Sequence, residues 1–186
     1  MRAIAERLDS YAERLEGAWS VEIGSSGPVL AMRRLPKRHA GTVLRIRRQL
    51  DEQLLLTHPG RICVRGPAIE DPALGRLRLP DAVVLPEAAL DEESFAVDAA
   101  QVTAVVEVVS PAGPTGDRVD KLVDYPAMGI ADCMIVDPRT GTIEVHSDPC
   151  KGRYMRKDAY IYGDSVPFGP WRVETSEFRR YGRPGE

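Results

Sequence analysis

The sequence lacks the features that define membrane proteins and disulfide-rich secreted proteins. No run approaches the ~20 consecutive apolar residues that span a bilayer, and the N-terminus has no apolar stretch typical of a secretory signal. The three cysteines, Cys63, Cys133 and Cys150, are widely spaced and form neither a disulfide framework nor a zinc motif. We therefore expect a cytoplasmic protein with no membrane partner.

The composition is that of an ordinary globular protein, with 43% hydrophobic and 28% charged residues. A chain of 186 residues suits one domain with one substantial core. We expect residues 1–186 to form this single domain, with residues 1–18 packing on it as an amphipathic helix. The predicted apolar stripe of that helix comprises Ile4, Leu8, Tyr11, Leu15 and Trp19.

Charge is unevenly distributed along the chain, although the net charge is only −3. Seven Lys or Arg residues and no acid lie between Ile23 and Leu50, whereas eight acids and no Lys or Arg lie between Asp81 and Asp117. A basic segment near an acidic one suits a metal-dependent enzyme that acts on a polyanion. A solvated helix face and an acidic loop account equally well for the same pattern.

Hydrophobic periodicity predicts a mixed α/β sheet with flanking helices. The strand–helix–strand run at 102–136 indicates a parallel pair joined by a crossover helix, which Asp117 would cap. The other predicted elements are a hairpin around Gly24–Gly27, a helix at 38–55, and strands at 62–64, 76–85, 142–146, 154–161 and 171–173. Pro80 should restrict the strand at 76–85 to a bend or a sheet edge at that point.

Two acids and a lysine near the centre of the sequence form a candidate catalytic site. Glu107 is the only charge in a buried strand, where an ionised carboxylate is costly without a partner. If the strand after Asp81 is its neighbour, both acids could hold Mg²⁺, and Lys121 could stabilise charge on a phosphate. Each residue also has an ordinary alternative: Asp81 as a turn acid, Glu107 in a structural ion pair, and Lys121 on the surface.

The sequence resembles the Uma-type family of restriction-endonuclease-like proteins, within the PD-(D/E)XK nuclease superfamily. The central resemblance is carried by LRLPDAVVLPEAAL, VVEVVSP and GDRVDKLVDYPAMGIADCMIVDPRTGTIEVHS. It extends to WSVEIGSSGPVLAM, RHAGTVLRIRRQLDEQL and GRYMRKDAYIYGDSVPFGPWRVETSEFRRY, and so covers the chain from Trp19 onward. It implies a restriction-endonuclease-like core with a mixed β-sheet.

The resemblance also implies a set of site residues. Asp81 and Glu107 correspond to the catalytic acids and would bind Mg²⁺ or Mn²⁺, with the backbone carbonyl of Val108 as a further donor. Glu22 matches an acid near the start of the family domain and is a possible additional ligand.

One position departs from the superfamily pattern. The lysine expected two residues after the second acid is replaced here by Val109, and Lys121 on the following helix would take its role. The resemblance places His39 at the start of a basic helix, where it could contact a phosphate or serve in capping or packing. The expected nucleic-acid-binding residues are Arg38, His39, Arg45 and Arg48.

These observations favour a metal-dependent endonuclease that hydrolyses phosphodiester bonds in DNA, acting as a homodimer by analogy with related folds. An alternative is a nuclease-fold module that no longer cuts and binds nucleic acid or a protein partner. The missing lysine at position 109 and the acidic net charge keep that alternative open. A third interpretation is an α/β domain whose acids and lysine form only a structural ion-pair cluster.

Overall fold

The structure is a computed structural model that describes residues 2–16, 19–32, 36–111 and 115–182. Within these residues the α-helices are α1 (Arg2–Ala12), α2 (Lys37–Thr57) and α3 (Thr115–Ala127). The strands are β1 (Trp19–Gly24), β2 (Gly27–Met32), β3 (Arg61–Val64), β4 (Ala68–Asp71), β5 (Arg76–Arg78), β6 (Ala82–Pro86), β7 (Ala96–Asp98), β8 (Ala104–Val108), β9 (Asp132–Asp137), β10 (Thr142–Cys150), β11 (Arg153–Ile161), β12 (Ser165–Phe168) and β13 (Trp171–Glu174). Short 3-10 helices occupy Glu87–Asp91 and Ala99–Gln101.

A six-stranded mixed sheet in the order β11-β10-β9-β8-β6-β3 forms the centre of the molecule. Strands β8 and β9 are parallel and are connected through α3, as the sequence predicts. Strand β6 is the antiparallel neighbour of β8 on its other side. A five-stranded sheet in the order β2-β1-β5-β4-β7 and the β12–β13 pair complete the strand content of the described residues. The predicted mixed α/β architecture is confirmed.

The two faces of the central sheet pack against different helices. Val106 and Val108 of β8 belong to the apolar cluster that contains Ile46 and Leu50 of α2. Val105, which alternates with them, belongs to the cluster that contains Tyr125 of α3. Because side chains alternate along a strand, Glu107 points to the α3 face. Val105 and Glu107 therefore lie on one side of β8, and Val106 and Val108 lie on the other.

Helix α2 is amphipathic, as its sequence predicts, although it is one or two residues longer at each end. Val43, Ile46, Leu50 and Leu54 are buried, whereas Arg38, Arg45 and Arg48 are exposed. No helix in the described part of the chain has the length and apolarity needed to cross a bilayer.

The prediction for the N-terminal helix is wrong in its extent and in its stripe. Helix α1 ends at Ala12, and Trp19 instead begins β1. Of the predicted stripe, Leu8 packs against the cluster of Val21 and Ile23, but Ile4 is 46% exposed and Tyr11 is 55% exposed. Leu15 and Trp19 lie beyond the end of the helix, whereas Ile4 and Tyr11 lie within it but face solvent.

Two boundaries elsewhere also differ from prediction. The strand expected at 76–85 is divided into β5 and β6, which belong to different sheets, and Pro80 lies in the break. Proline has no N–H and restricts the residue before it, so the chain turns there from one sheet into the other. Helix α3 begins at Thr115, so Asp117 lies within it and is not its cap.

The β1–β2 hairpin is held close to α3. The backbone N–H of Ser25 donates a hydrogen bond of 3.2 Å to Oδ2 of Asp124. A Cβ atom on Gly24 would lie 2.1 Å from Nη2 of Arg78, so glycine is required by this close approach. The contact brings Glu22 of β1 towards the face of the central sheet on which Glu107 lies.

Candidate active site

Asp81 lies just before β6 and is fixed from both sides. Its Oδ2 accepts a hydrogen bond of 2.8 Å from the backbone N–H of Val108, and its Oδ1 lies 2.8 Å from Nε2 of His39. Burial raises the pKa of Asp81, but the bonds from His39 and Val108 and the charge of Lys121 outweigh that effect and lower it overall. The carboxylate is therefore ionised, and Nε2 of His39 is the donor.

For Glu107, the influences that raise the pKa outweigh those that lower it. Its Oε2 accepts a hydrogen bond of 3.0 Å from Nζ of Lys121, and its Oε1 accepts one from the Tyr125 hydroxyl. Burial, together with the negative charges of Asp81 and Glu22, raises the pKa of Glu107 to about 7, although Lys121 and Tyr125 act to lower it. The fold thus leaves part of the cost of this buried charge uncompensated.

Lys121 links two acids from different sheets. Its Nζ lies 3.0 Å from Oε2 of Glu107 and 3.6 Å from Oε1 of Glu22. The Lys121 side chain is 7% exposed, as is that of Glu22. The helix makes this contact possible because Lys121, Asp124 and Tyr125 are spaced at i, i+3 and i+4 and share the buried side of α3.

A second group of charged residues, Arg76, Arg78 and Asp124, is linked through Arg78 to Glu22. Nη2 and Nε of Arg78 donate to Oδ2 of Asp124 at 2.5 and 2.9 Å, and Nε of Arg76 donates to Oδ1 at 2.8 Å. Nη1 of Arg78 also lies 3.4 Å from Oε2 of Glu22. Arg78 and Asp124 are each 1% exposed. These bonds connect β5, α3 and β1, and so fix the position from which Glu22 reaches Lys121.

The structure thus brings together Asp81, Glu107, Lys121 and Glu22 of the predicted site residues. The proximity of Asp81 and Glu107 follows from the pairing of β6 with β8, in which Ala82 faces Val106. Val109 follows Glu107 by two residues, and the ammonium group that contacts Glu107 comes from Lys121 on the following helix. Glu107 pairs with Lys121 and not with Arg118, which pairs with Glu144.

His39 is buried, which agrees with the packing alternative and not with a phosphate contact on the exposed basic face of α2. The side chain is 1% exposed and contacts Asp81, so it belongs to the acidic site and cannot contact phosphate from the outer face. It lies at the buried side of the helix with Val43 and Ile46, four and seven residues later. The exposed basic face is formed by Arg38, Arg45 and Arg48 without it.

The donor chemistry of the site fits a hard divalent ion. Asp81 and Glu107 supply carboxylate oxygens, and Mg²⁺ is commonly held by one or two carboxylates, with water and phosphate oxygens completing the octahedron. The raised pKa of Glu107 marks a place where added positive charge would be favourable. Among the described residues, no cluster of three or more His, Cys, Asp or Glu side chains is arranged to hold a metal ion.

A comparison with protein families shows to which family the chain belongs. The profile of the Uma2 family, described as "Putative restriction endonuclease", matches residues 6–168. The chain belongs to this family. The Uma2 match spans α2, β6, β8 and α3, and so includes Asp81, Glu107 and Lys121.

A solved structure has a similar fold. It is titled a "putative nuclease belonging to DUF820" from Anabaena variabilis ATCC 29413, and the two chains superpose with a TM-score of 0.61. The alignment covers 86% of this chain and 87% of that chain at 12% sequence identity. This likeness shows a common fold. A comparison with curated proteins gave no match.

Several residues of the site were not predicted from the sequence. Tyr125 and Asp124 could have been found, because they follow Lys121 by four and three residues on the same helix. The sequence did not indicate that Arg78 is buried, because an arginine in a short strand is usually exposed. Tyr181, whose hydroxyl donates to the carbonyl of Val109 at 2.9 Å, lies in a C-terminal segment without periodic pattern.

The pKa of Glu107 leads to a prediction about stability and pH. The pKa of Glu107 is about 7 in the folded protein and 4.5 in its ordinary state. Between pH 4.5 and about 7, Glu107 is therefore protonated in the folded protein and ionised in the unfolded chain. Stability from this group is fully present below pH 4.5 and is lost as pH rises through about 7. With chelator present, the wild type should therefore lose roughly 1–3 kcal/mol relative to Glu107→Gln between pH 5 and 8.

Urea unfolding of both proteins at the two pH values measures this difference. Glu52→Gln, which removes an exposed carboxylate on α2, serves as a control and should follow the wild type. Parallel pH dependence of the wild type and Glu107→Gln would contradict the raised pKa.

Proposed function

We propose that the protein is a divalent-metal-dependent endonuclease that hydrolyses phosphodiester bonds in DNA. Asp81 and Glu107 bind Mg²⁺ or Mn²⁺, and Lys121 is the catalytic cation. The observation that carries the proposal is the 3.0 Å contact between Glu107 and Lys121, beside the neighbouring Asp81. Asp81, Glu107 and Glu22 all act electrostatically on the buried amine of Lys121 or on one another, and Arg78 also contacts Glu22, so the cluster is larger than a single structural ion pair.

The two acids have distinct tasks in this proposal. Asp81 presents an ionised carboxylate whose oxygens each keep a free lone pair, and Glu107 presents the second carboxylate from the adjacent strand. The carbonyl of Val108 and the carboxylate of Glu22 are proposed as further donors. When bound, the ion neutralises charge that develops at phosphorus and activates water.

Lys121 supplies positive charge that the protein itself holds in place. Glu22 and Glu107 keep its ammonium group at the site, and the buried position strengthens its interaction with an entering phosphate. Stabilisation of the charge that develops in the transition state is the role expected of such a fixed cation. The helix position of Lys121 explains how Val109 can replace the superfamily lysine.

The exposed basic face of α2 is proposed to guide the DNA backbone to the site. Arg38 lies next to His39 at the start of the helix, and Arg45 and Arg48 extend the same exposed face. Arginines bind phosphate oxygens without regard to base sequence, so this face would position the duplex. A homodimer would allow both strands to be cut, and the proposed place of action is the cytoplasm.

A second candidate function is a nuclease-fold module that binds nucleic acid or a protein without cutting. It is favoured by one observation: two acids, Glu107 and Glu22, already neutralise Lys121. In that case the cluster would stabilise the fold and the amine would not be available to a phosphate. Measurements of metal binding and of DNA cleavage distinguish the two functions.

We predict that Mn²⁺ binds the wild type and that Glu107→Ala and Asp81→Asn abolish or strongly weaken this binding. The reason is that each variant removes a charged oxygen donor that the ion requires. Isothermal titration calorimetry measures the heats, with Glu52→Gln as a control that should bind as the wild type does. Equal heats from wild type and both site variants would exclude the proposed metal site.

We predict that Lys121→Met keeps metal binding largely intact but lowers the nicking rate of supercoiled DNA by about 100-fold or more. The variant retains both carboxylates and loses the fixed positive charge, whose loss costs a few kcal/mol of transition-state stabilisation. Rates are measured at saturating Mn²⁺. Lys151→Met, at the exposed turn between β10 and β11, is the control. Unchanged nicking by Lys121→Met would show that this lysine is not catalytic.

We predict that Arg45→Gln/Arg48→Gln weakens DNA binding and lowers the slope of log affinity against log salt by up to about 2 for double-stranded DNA. Two phosphate contacts, and the counterions that they release, would be lost. Fluorescence anisotropy over a range of salt concentrations measures the slope. Arg7→Gln/Arg14→Gln makes the same charge change near the N-terminus and should keep the wild-type slope. If both double variants behave alike, the face of α2 does not contact DNA.

A further inference from the structure

The C-terminal segment after β13 contacts the start of α2 and the residue that follows β8, next to the candidate active site. The backbone N–H of Tyr181 donates to the carbonyl of Pro138 at 2.9 Å, and Nη1 of Arg38 donates to the carbonyl of Arg180 at 2.7 Å. Phe178 anchors the segment, since it is 4% exposed and belongs to the cluster below the central sheet. The segment lies beyond the Uma2 match, which ends at residue 168.

The Tyr181 side chain connects this segment to the acidic site. Its hydroxyl donates to the carbonyl of Val109 at 2.9 Å and lies 3.4 Å from Nδ1 of His39. The opposite nitrogen of the same ring, Nε2, lies 2.8 Å from Oδ1 of Asp81. The hydroxyl therefore touches both the strand that carries Glu107 and the histidine that contacts Asp81.

These contacts link the Asp81 carboxylate to Tyr181 in two ways, through His39 and through the end of β8. One carboxylate oxygen is bonded by the N–H of Val108, and the other is bonded by His39. Tyr181 donates its hydroxyl proton to the carbonyl of the residue after Val108, and its oxygen lies beside Nδ1 on the far side of the His39 ring, where it can only accept. The orientation of the Asp81 carboxylate is thereby coupled to a segment that is distant in sequence.

We propose that His39 and Tyr181 are positioning residues that set the orientation of Asp81 for metal binding. This inference rests on the proposed function, in which Asp81 is a ligand. Groups that hydrogen-bond to a metal ligand fix its direction, and their removal commonly weakens metal affinity. His39 acts directly on the carboxylate, and Tyr181 acts through the histidine ring and through β8.

His39 is buried and Tyr181 is half-buried, so both could serve only to stabilise the fold. A positioning role can be distinguished from a purely structural one, because only a hydrogen-bond donor at the position of Nε2 can hold Oδ1 of Asp81. Glutamine can place an amide N–H near that position, whereas leucine fills similar space without a donor. Tyr181→Phe removes the hydroxyl and keeps the ring.

The experiment measures Mn²⁺ affinity by calorimetry, the melting temperature without metal, and nicking at low and saturating Mn²⁺, on the full chain. We expect His39→Leu to weaken Mn²⁺ affinity by about 10- to 100-fold and His39→Gln to remain within about threefold of the wild type. Tyr181→Phe should weaken affinity by about 2- to 10-fold, and saturating Mn²⁺ should restore its nicking rate.

Tyr162→Phe is the matched control. Its buried hydroxyl has no hydrogen-bond partner among the described residues, and its ring packs against Phe178 at 5.5 Å between centroids. The change therefore removes a nearby tyrosine hydroxyl without breaking the link between Tyr181 and Asp81. It should leave Mn²⁺ affinity unchanged.

The outcomes distinguish this inference from the function on which it rests. If Asp81→Asn loses Mn²⁺ but His39→Leu and Tyr181→Phe bind as the wild type does, the inference is overturned and the metal site stands. If His39→Gln is as weak as His39→Leu, the role is structural and the inference also fails. If the wild type itself binds no Mn²⁺, the proposed function fails first. Should His39→Leu not fold, Tyr181→Phe against Tyr162→Phe decides.

Discussion

The contact between the Lys121 ammonium group and two buried carboxylates is the interaction on which the site depends. Glu107 and Glu22 come from different sheets and would repel each other without it. A buried cation is costly to desolvate, so the arrangement is stable only while both acids compensate it. The amine thus joins β1, β8 and α3 at one point, and the same contacts form the concentration of charge on which the proposed site rests.

The Arg78–Asp124 pair makes this geometry rigid. Both side chains are 1% exposed, and the pair joins β5 to α3 behind Glu22. Because α3 also carries Lys121 and Tyr125, a shift of the helix would disturb charged contacts on both sheets at once. Removal of one partner from such a network leaves an uncompensated buried charge, which commonly costs 3–5 kcal/mol. Site geometry and fold stability are therefore supported by the same bonds.

The sequence predicted the elements whose signal is local. The β-branched run at 102–109 predicted β8 and the direction of Glu107, and the apolar repeat of α2 predicted its buried side. The strand predicted at 76–85 is interrupted at Pro80, where a bend or edge was expected, but alternation alone does not reveal that the chain changes sheets there. For α1, a helical repeat was present, but no surface was available to cover Ile4 and Tyr11.

The partners of the site residues were harder to predict, because pairing across the fold leaves no periodic pattern. His39 was correctly placed near the start of a helix, yet its contact with Asp81 joins residues 42 positions apart. Tyr181 reaches Val109 across 72 positions. The candidate acids themselves were recognisable since a single charge within a buried strand contradicts its surroundings and requires an explanation.

The fold treats the two carboxylates differently, although they lie on or beside adjacent strands. For Asp81, burial raises the pKa, but hydrogen bonds from His39 and Val108 lower it overall, so the fold stabilises its negative charge. For Glu107, burial raises the pKa to about 7 even though Lys121 and Tyr125 act to lower it. Near neutrality the fold therefore binds a proton at Glu107 more readily than at Asp81, which limits the repulsion between the two carboxylates. In the proposed metalloenzyme, the same proton would compete with a metal ion for Glu107.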